Sequence, residues 1–114
     1  MTLSEKQQLF ARLFAGLIRE ALRQGFQLTL GEVWRPAETA RLYAEKGIGT
    51  PNSLHISRLA ADINLFRDGQ YLTRSEDYVS LGVWWETRHP LCRWGGRFTR
   101  PDGNHFSLTH EGRS

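Results

Sequence analysis

Ser53-Leu54-His55-Ile56-Ser57-Arg58-Leu59-Ala60-Ala61-Asp62 is the stretch around which the chain is organised, because it sets two good metal ligands seven positions apart across a change of local structure. Ahead of it, Gly47, Gly49, Thr50, Pro51 and Asn52 form a cluster of breakers, so His55 emerges from a loop. Behind it, Ala60 to Phe66 alternates and reads as a strand. A histidine entering a strand and an aspartate on that strand can converge on one side of a sheet. A third ligand then has to come from far along the chain. The candidate is His105, in Pro101-Asp102-Gly103-Asn104-His105-Phe106-Ser107-Leu108, where a turn-forming run again leads into a short apolar strand. Two histidines and one carboxylate leave a fourth tetrahedral position open to water, which is the arrangement of a catalytic rather than a structural zinc.

These residues fall into a wider pattern. Ser-x-His-x-x-Gly-x-Ala-x-Asp followed by Asp/Glu-x-x-His is the signature of the zinc peptidases that include VanX and VanY type D,D-peptidases and phage L-alanyl-D-glutamate endolysins. The chain resembles that family at Ser53, His55, Ala60, Asp62, Asp102 and His105, and departs from it at Arg58, where the family usually has glycine. The resemblance also takes in Arg35 and Trp94-Gly95-Gly96, and so spans residues 30 to 108. It implies a hedgehog/D,D-peptidase-like zinc peptidase fold, with Zn2+ held by His55, Asp62 and His105. It also implies peptidoglycan stem peptides as substrate, Arg35 as a substrate or transition-state contact, and a Trp94 segment bordering the active-site cleft. The favoured activity is that of a phage endolysin-type L-alanyl-D-glutamate endopeptidase used for host lysis. D-Ala-D-Ala carboxypeptidase or dipeptidase action is the near alternative. A reading from another class keeps the scaffold and the zinc but makes the domain a non-catalytic cell-wall or protein binding module; the departures at Arg58 and Asp102 are its support.

Composition sets the outer limits. At 114 residues the expectation is a single zinc peptidase domain over 1–114, a monomer with one core and a short sheet. One cysteine, Cys92, excludes an internal disulfide and a Cys-rich zinc site, and is expected to be a buried small hydrophobe. A net charge of +3 favours an anionic partner without naming it. The basic residues are scattered and no nucleic-acid-binding motif is visible, so no specific nucleic-acid binding is expected. The polar start Met1 to Gln8 does not fit a secretory signal, and no apolar run approaches a membrane span. The enzyme is therefore expected to be made in the cytoplasm and to act on the wall after the membrane has been opened.

Along the chain, Ser4 with Gln7 reads as a capping box opening a helix over 5–24, ended by Gly25. Its stripe of Phe10, Leu13, Phe14, Leu17, Ile18, Ala21 and Leu22 fits core packing better than a membrane surface, since acidic and amide residues share the polar side. Phe26 to Val33 reads as a strand that delivers Trp34 and Arg35 to its end, and Ala37 to Lys46 as a second helix after Pro36. Asp68-Gly69 marks a hairpin into Gln70-Tyr71-Leu72. Ser75 opens a third helix that should end by His89-Pro90, where the helix dipole rather than a metal accounts for His89. Together these elements predict an α+β fold, a small antiparallel sheet with helices packed on one face and the zinc site on the open face. The C-terminal residues 109–114 should be frayed. His110, an odd number of positions beyond His105, should face away from the metal.

Asp102 has two compatible readings, a turn former before Gly103-Asn104 and a general base whose carboxylate reaches the water bound at the zinc. The family more often has glutamate there. Ser53, two residues before His55 in an extended segment, should point to the same side and donate a hydrogen bond to substrate. Trp94 is either a flat wall for the cleft or a cover for the core edge. At position 58, arginine adopts positive φ less readily than glycine, so the local backbone is expected to differ from the family's.

Overall fold

A computed structural model describes residues 1–49 and 53–114; Thr50, Pro51 and Asn52 of the breaker cluster lie outside the described residues. The chain forms helix α1 (Leu3–Arg23), strand β1 (Gln27–Leu30), helix α2 (Ala37–Glu45), strands β2 (Ala60–Arg67) and β3 (Gln70–Tyr71), helix α3 (Val79–Glu86), and strands β4 (Cys92–Trp94) and β5 (His105–Leu108). This is the expected α+β architecture with an antiparallel sheet.

Strand β2 is the spine of the sheet, which runs β1-β2-β5-β4 with β3 also paired to β2. Its alternation sends Ala61, Ile63 and Leu65 into the core and leaves Asp62, Asn64 and Phe66 on the other face, half-buried. The core side meets Leu9, Phe10, Leu17 and Ala21 of α1 and Leu81 and Trp85 of α3 in one apolar cluster. Trp85 ties the far edge together: its indole N–H donates to the carbonyls of Arg93 (3.1 Å) in β4 and Ser107 (3.2 Å) in β5. Tyr78 does the same for the hairpin, donating to the Leu72 carbonyl and accepting from the Leu65 amide.

Strand β1 covers Gln27–Leu30 rather than Phe26 to Val33, so Trp34 and Arg35 lie beyond its end; three further boundaries differ from expectation. Helix α1 is capped by Thr2 and Glu5 rather than Ser4 and Gln7: the Thr2 hydroxyl accepts from the Glu5 amide, and the Glu5 carboxylate accepts from the Thr2 amide at 2.7 Å. Thr2 holds extended backbone and so can cap, whereas Ser4 already lies inside the helix and accepts from Gln8. Ser75 does not cap α3 either. Residues Ser75–Tyr78 make one 3-10 turn before α3, and the Ser75 hydroxyl instead accepts from the Gly103 amide at 3.0 Å, anchoring the loop that precedes β5. Finally, the C-terminal stretch expected to fray forms an antiparallel bridge between His110 and Arg113, which brings Arg113 to the cleft.

Candidate active site

Asp62 and His105 are directly opposite one another in the β2–β5 ladder, so their side chains leave the same face of the sheet side by side. His55 reaches them from a turn. The Ser53 hydroxyl accepts from the His55 amide at 3.2 Å, the Leu54 side chain is buried beneath, and the amides of Arg58 and Leu59 bond back to His55 and Leu54 carbonyls. The segment is thus a side-chain-stapled turn rather than the extended approach expected, because a serine hydroxyl competes locally for backbone donors. Ser53 still lines the cleft.

The three side chains converge. Oδ1 of Asp62 lies 3.4 Å from Nε2 of His55 and 3.6 Å from Nδ1 of His105, and one ligand atom from each residue falls within 4.8 Å of the others. That Oδ1 is buried and accepts no hydrogen bond. A buried, unpaired carboxylate oxygen between two imidazoles is costly unless a cation completes it, so the donor set fits zinc. Burial alone would push the Asp62 carboxyl up, but His105 and His55 outweigh it and hold the group at about 2, ready to ligate as an anion.

Asp102 sits one turn away. Its carbonyl accepts from the His105 amide at 3.1 Å, closing the Asp102-Gly103-Asn104-His105 turn, and its carboxylate comes to 4.0 Å from Nδ1 of His105, the atom that faces Asp62. Burial pushes its carboxyl above the ordinary range, toward a group that can hold a proton. The turn is pinned from below. The Asp102 amide donates to the Gly95 carbonyl at 2.9 Å, and a side chain at Gly95 would collide with the Asp102 carbonyl and His105 Cβ. The Trp94-Gly95-Gly96 glycines therefore permit the close approach expected of them.

Trp94 itself is a correction. Only 5% exposed, it belongs to the core cluster, and its indole N–H donates to the Gly103 carbonyl at 2.7 Å. Gly82 and Gly96 leave the ring room to lie flat against the backbone, so it supports the Asp102 loop from inside and is absent from the cleft wall. Phe98, which the sequence did not single out, lines the cleft and lies 5.3 Å from the His105 ring.

Arg35 also lines the cleft, a volume of about 610 Å3, with its side chain 12% exposed. Its amide donates to the His55 carbonyl, its guanidinium pairs with Glu32 and stacks over Tyr43 at 4.9 Å. Glu32 was missed in the sequence. Its carboxylate stands 3.8 Å from Nδ1 of His55, behind the face that His55 turns to Asp62, near but beyond hydrogen-bond distance. Its spacing of three from Arg35 was the one available signal. His89 and His110 take no part: His89 accepts from the Leu91 amide and His110 contacts Lys6 at 3.0 Å.

Arg58 holds a backbone conformation that arginine takes less readily than glycine. It adopts φ of +56°, the conformation glycine would take, and its guanidinium lies 4.6 Å over Trp34.

With this geometry in view, the comparisons with known proteins agree. The family model described as D-alanyl-D-alanine carboxypeptidase matches residues 46–108, more than half of the chain, and takes in His55, Asp62, Asp102 and His105. The chain belongs to this peptidase family. Among solved structures, the D-alanyl-D-alanine carboxypeptidase family member is similar to the Serratia marcescens L-Ala D-Glu endopeptidase ChiX, at 27% identity and a TM-score of 0.69, over 82% of this chain and 75% of that one. No curated protein matches it in sequence. Among the described residues of this family member, no helix is long and apolar enough to cross a membrane.

Proposed function

We propose that the chain is a zinc-dependent peptidoglycan peptidase, one catalytic domain that cuts the L-alanyl-D-glutamate bond of stem peptides in the manner of an endolysin. The observation that carries this reading is the convergence of His55, Asp62 and His105 around a buried unpaired carboxylate oxygen, with Asp102 beside them and an open cleft in front. Zinc held by those three residues would supply Lewis acidity, polarising the peptide carbonyl and making water acidic enough to attack it.

The chain's own residues do the rest. Asp102 takes the proton from the attacking water and returns it to the leaving amine, so the amide C–N bond breaks as the new C–O bond forms and no proton is lost. Arg35, held by Glu32 and Tyr43, presents its guanidinium to the carbonyl oxygen as negative charge develops or to a substrate carboxylate. The Ser53 hydroxyl accepts from its own turn and keeps its proton for the substrate. Glu32 acts at one remove, holding Arg35 and placing negative charge on the outer side of His55.

The name of the matching family favours a second bond, D-alanyl-D-alanine, while the similar solved structure favours the first. Mass spectrometry of fragments released from purified peptidoglycan separates them. New L-alanine C-termini and D-glutamate N-termini are expected. Release of single D-alanine instead would assign the carboxypeptidase activity, and no release by zinc-loaded protein would leave a binding module.

A further inference from the structure

Beyond Asp62, the open face of the sheet carries a second set of side chains with no task in the chemistry above. Asn64 follows Asp62 on the same face, opposite Thr29 of β1. Its amide donates to the Thr29 hydroxyl at 3.3 Å, while its carbonyl oxygen accepts from the Asn104 amide at 3.3 Å and the Tyr71 hydroxyl at 3.4 Å. Tyr71 is 52% exposed and packs against Phe66, ring centroids 5.2 Å apart. Thr29, Asn64, Tyr71 and Asn104 thus form one uncharged hydrogen-bonding patch with an aromatic flank. The patch is continuous with the catalytic residues: Asn104 precedes His105, and a cavity of about 190 Å3 bordered by Tyr71 and Asn104 shares Pro101 and Asp102 with the cleft.

We propose that this patch is the subsite for the N-acetylated amino sugar that carries the stem peptide. Neutral amides and hydroxyls match the hydroxyl and acetamido groups of a sugar, and an exposed aromatic ring matches the apolar face of a pyranose. Distance selects the register. Along a strand, Asn64 lies about 7 Å from Asp62 and Phe66 about 13 Å. The sugar is separated from the L-alanyl-D-glutamate bond by one amino acid and its lactyl link, roughly 4–8 Å, whereas a terminal D-alanyl-D-alanine bond lies four residues and the same link away, roughly 17 Å. Tyr71 pairs with Phe66 at the far end of the patch, so a sugar seated over Asn64 and flanked on its outer side by Tyr71 brings the nearer bond to the metal ligands. The inference rests on the endopeptidase reading for its register, but the sugar contact itself does not.

The test uses the zinc-loaded full chain and three probes: a disaccharide-linked stem peptide, the same peptide without sugar, and the disaccharide alone. The wild-type protein should cleave the sugar-linked peptide with the higher kcat/KM. In Tyr71→Ala and Asn64→Ala the ratio between the two substrates should fall by about three- to tenfold, the size of one aromatic or hydrogen-bonding contact. Tyr71→Phe should keep part of the preference, because the ring remains. NMR titration with the disaccharide alone should shift resonances of Thr29, Asn64, Tyr71 and Asn104. A ratio unchanged in both alanine variants, or disaccharide shifts absent from these residues, overturns the subsite even if the L-alanyl-D-glutamate bond is cut. Shifts at these residues without cleavage of that bond would uphold the subsite and overturn the endopeptidase reading instead.

Discussion

At the scale of single residues, two positions carry the departures from the family pattern, and each has its own physics. Asp102 is 55% exposed, within 4.0 Å of His105, and is not one of the three converging ligands. Asp102→Asn should therefore keep zinc and fold, since asparagine forms the same turn, while losing about 10²- to 10⁴-fold in kcat. Wild-type turnover in zinc-loaded Asp102→Asn would reduce the residue to a turn former. Arg58 poses an energetic question, because the left-handed backbone costs a non-glycine residue about 1–2 kcal/mol. Replacing it with glycine relieves that strain but adds about 0.5–1 kcal/mol of unfolded-chain entropy and gives up an exposed cation–π contact of about 0.5 kcal/mol. The terms nearly cancel, so Arg58→Gly should shift Tm by no more than a few degrees, whereas Arg58→Val, β-branched in the same backbone, should lower it clearly. A large loss in Arg58→Gly would mean that the contact with Trp34, and not the backbone, holds the His55 turn.

At the scale of elements, α1 depends on the closure of its last turn. Glu20 is buried in its side chain and accepts a bidentate pair from Arg23 (2.7 and 2.6 Å) and a third bond from Gln24 (2.9 Å). Those bonds, Arg23 first, lower the Glu20 carboxyl from its ordinary 4.5 to about 2. A lowered folded-state pKa means that the unfolded chain takes up the proton first as pH falls. The stabilisation is thus complete above pH 4.5 and is lost as pH drops through about 2. Thermal melts across that window should show Tm falling more steeply in the wild type than in Glu20→Gln, which has no proton to gain. Parallel curves would show that the end of α1 does not contribute to acid lability. The β2–β5 pair is the other decisive element, since a slip of one residue would turn Asp62 into the core and leave His105 facing nothing.

At the scale of the whole molecule, the metal set draws on a turn, the middle of the sheet and the start of the last strand, so zinc would link parts of the fold that are far apart in sequence. Binding to the folded chain alone adds about 2.7 kcal/mol at a hundredfold excess over Kd, which in a chain of this size raises Tm by roughly 10 °C. Chelation should reverse that rise in the wild type and have no effect in His55→Ala or His105→Ala, as read by calorimetry with metal analysis; a wild-type Tm indifferent to chelator would remove zinc from the site. How much of this was legible beforehand follows from the range of the forces involved. The helices, the Asp68-Gly69 hairpin, the strand holding Asp62 and the turn before His105 were all legible from periodicity and turn chemistry, because those signals act between residues a few positions apart. The pairing of His55 and Asp62 with a distant histidine came from a two-part motif in the right order. What only the tertiary structure decided were matters of direction and register: Glu32 behind His55, Trp94 turned into the core, Ser75 bonded to the Gly103 loop, Arg113 at the cleft, and Asn64, Tyr71 and Asn104 gathered on one face. Those positions are set by which strands pair and which face is buried, a balance struck among segments tens of residues apart, and no local propensity records it.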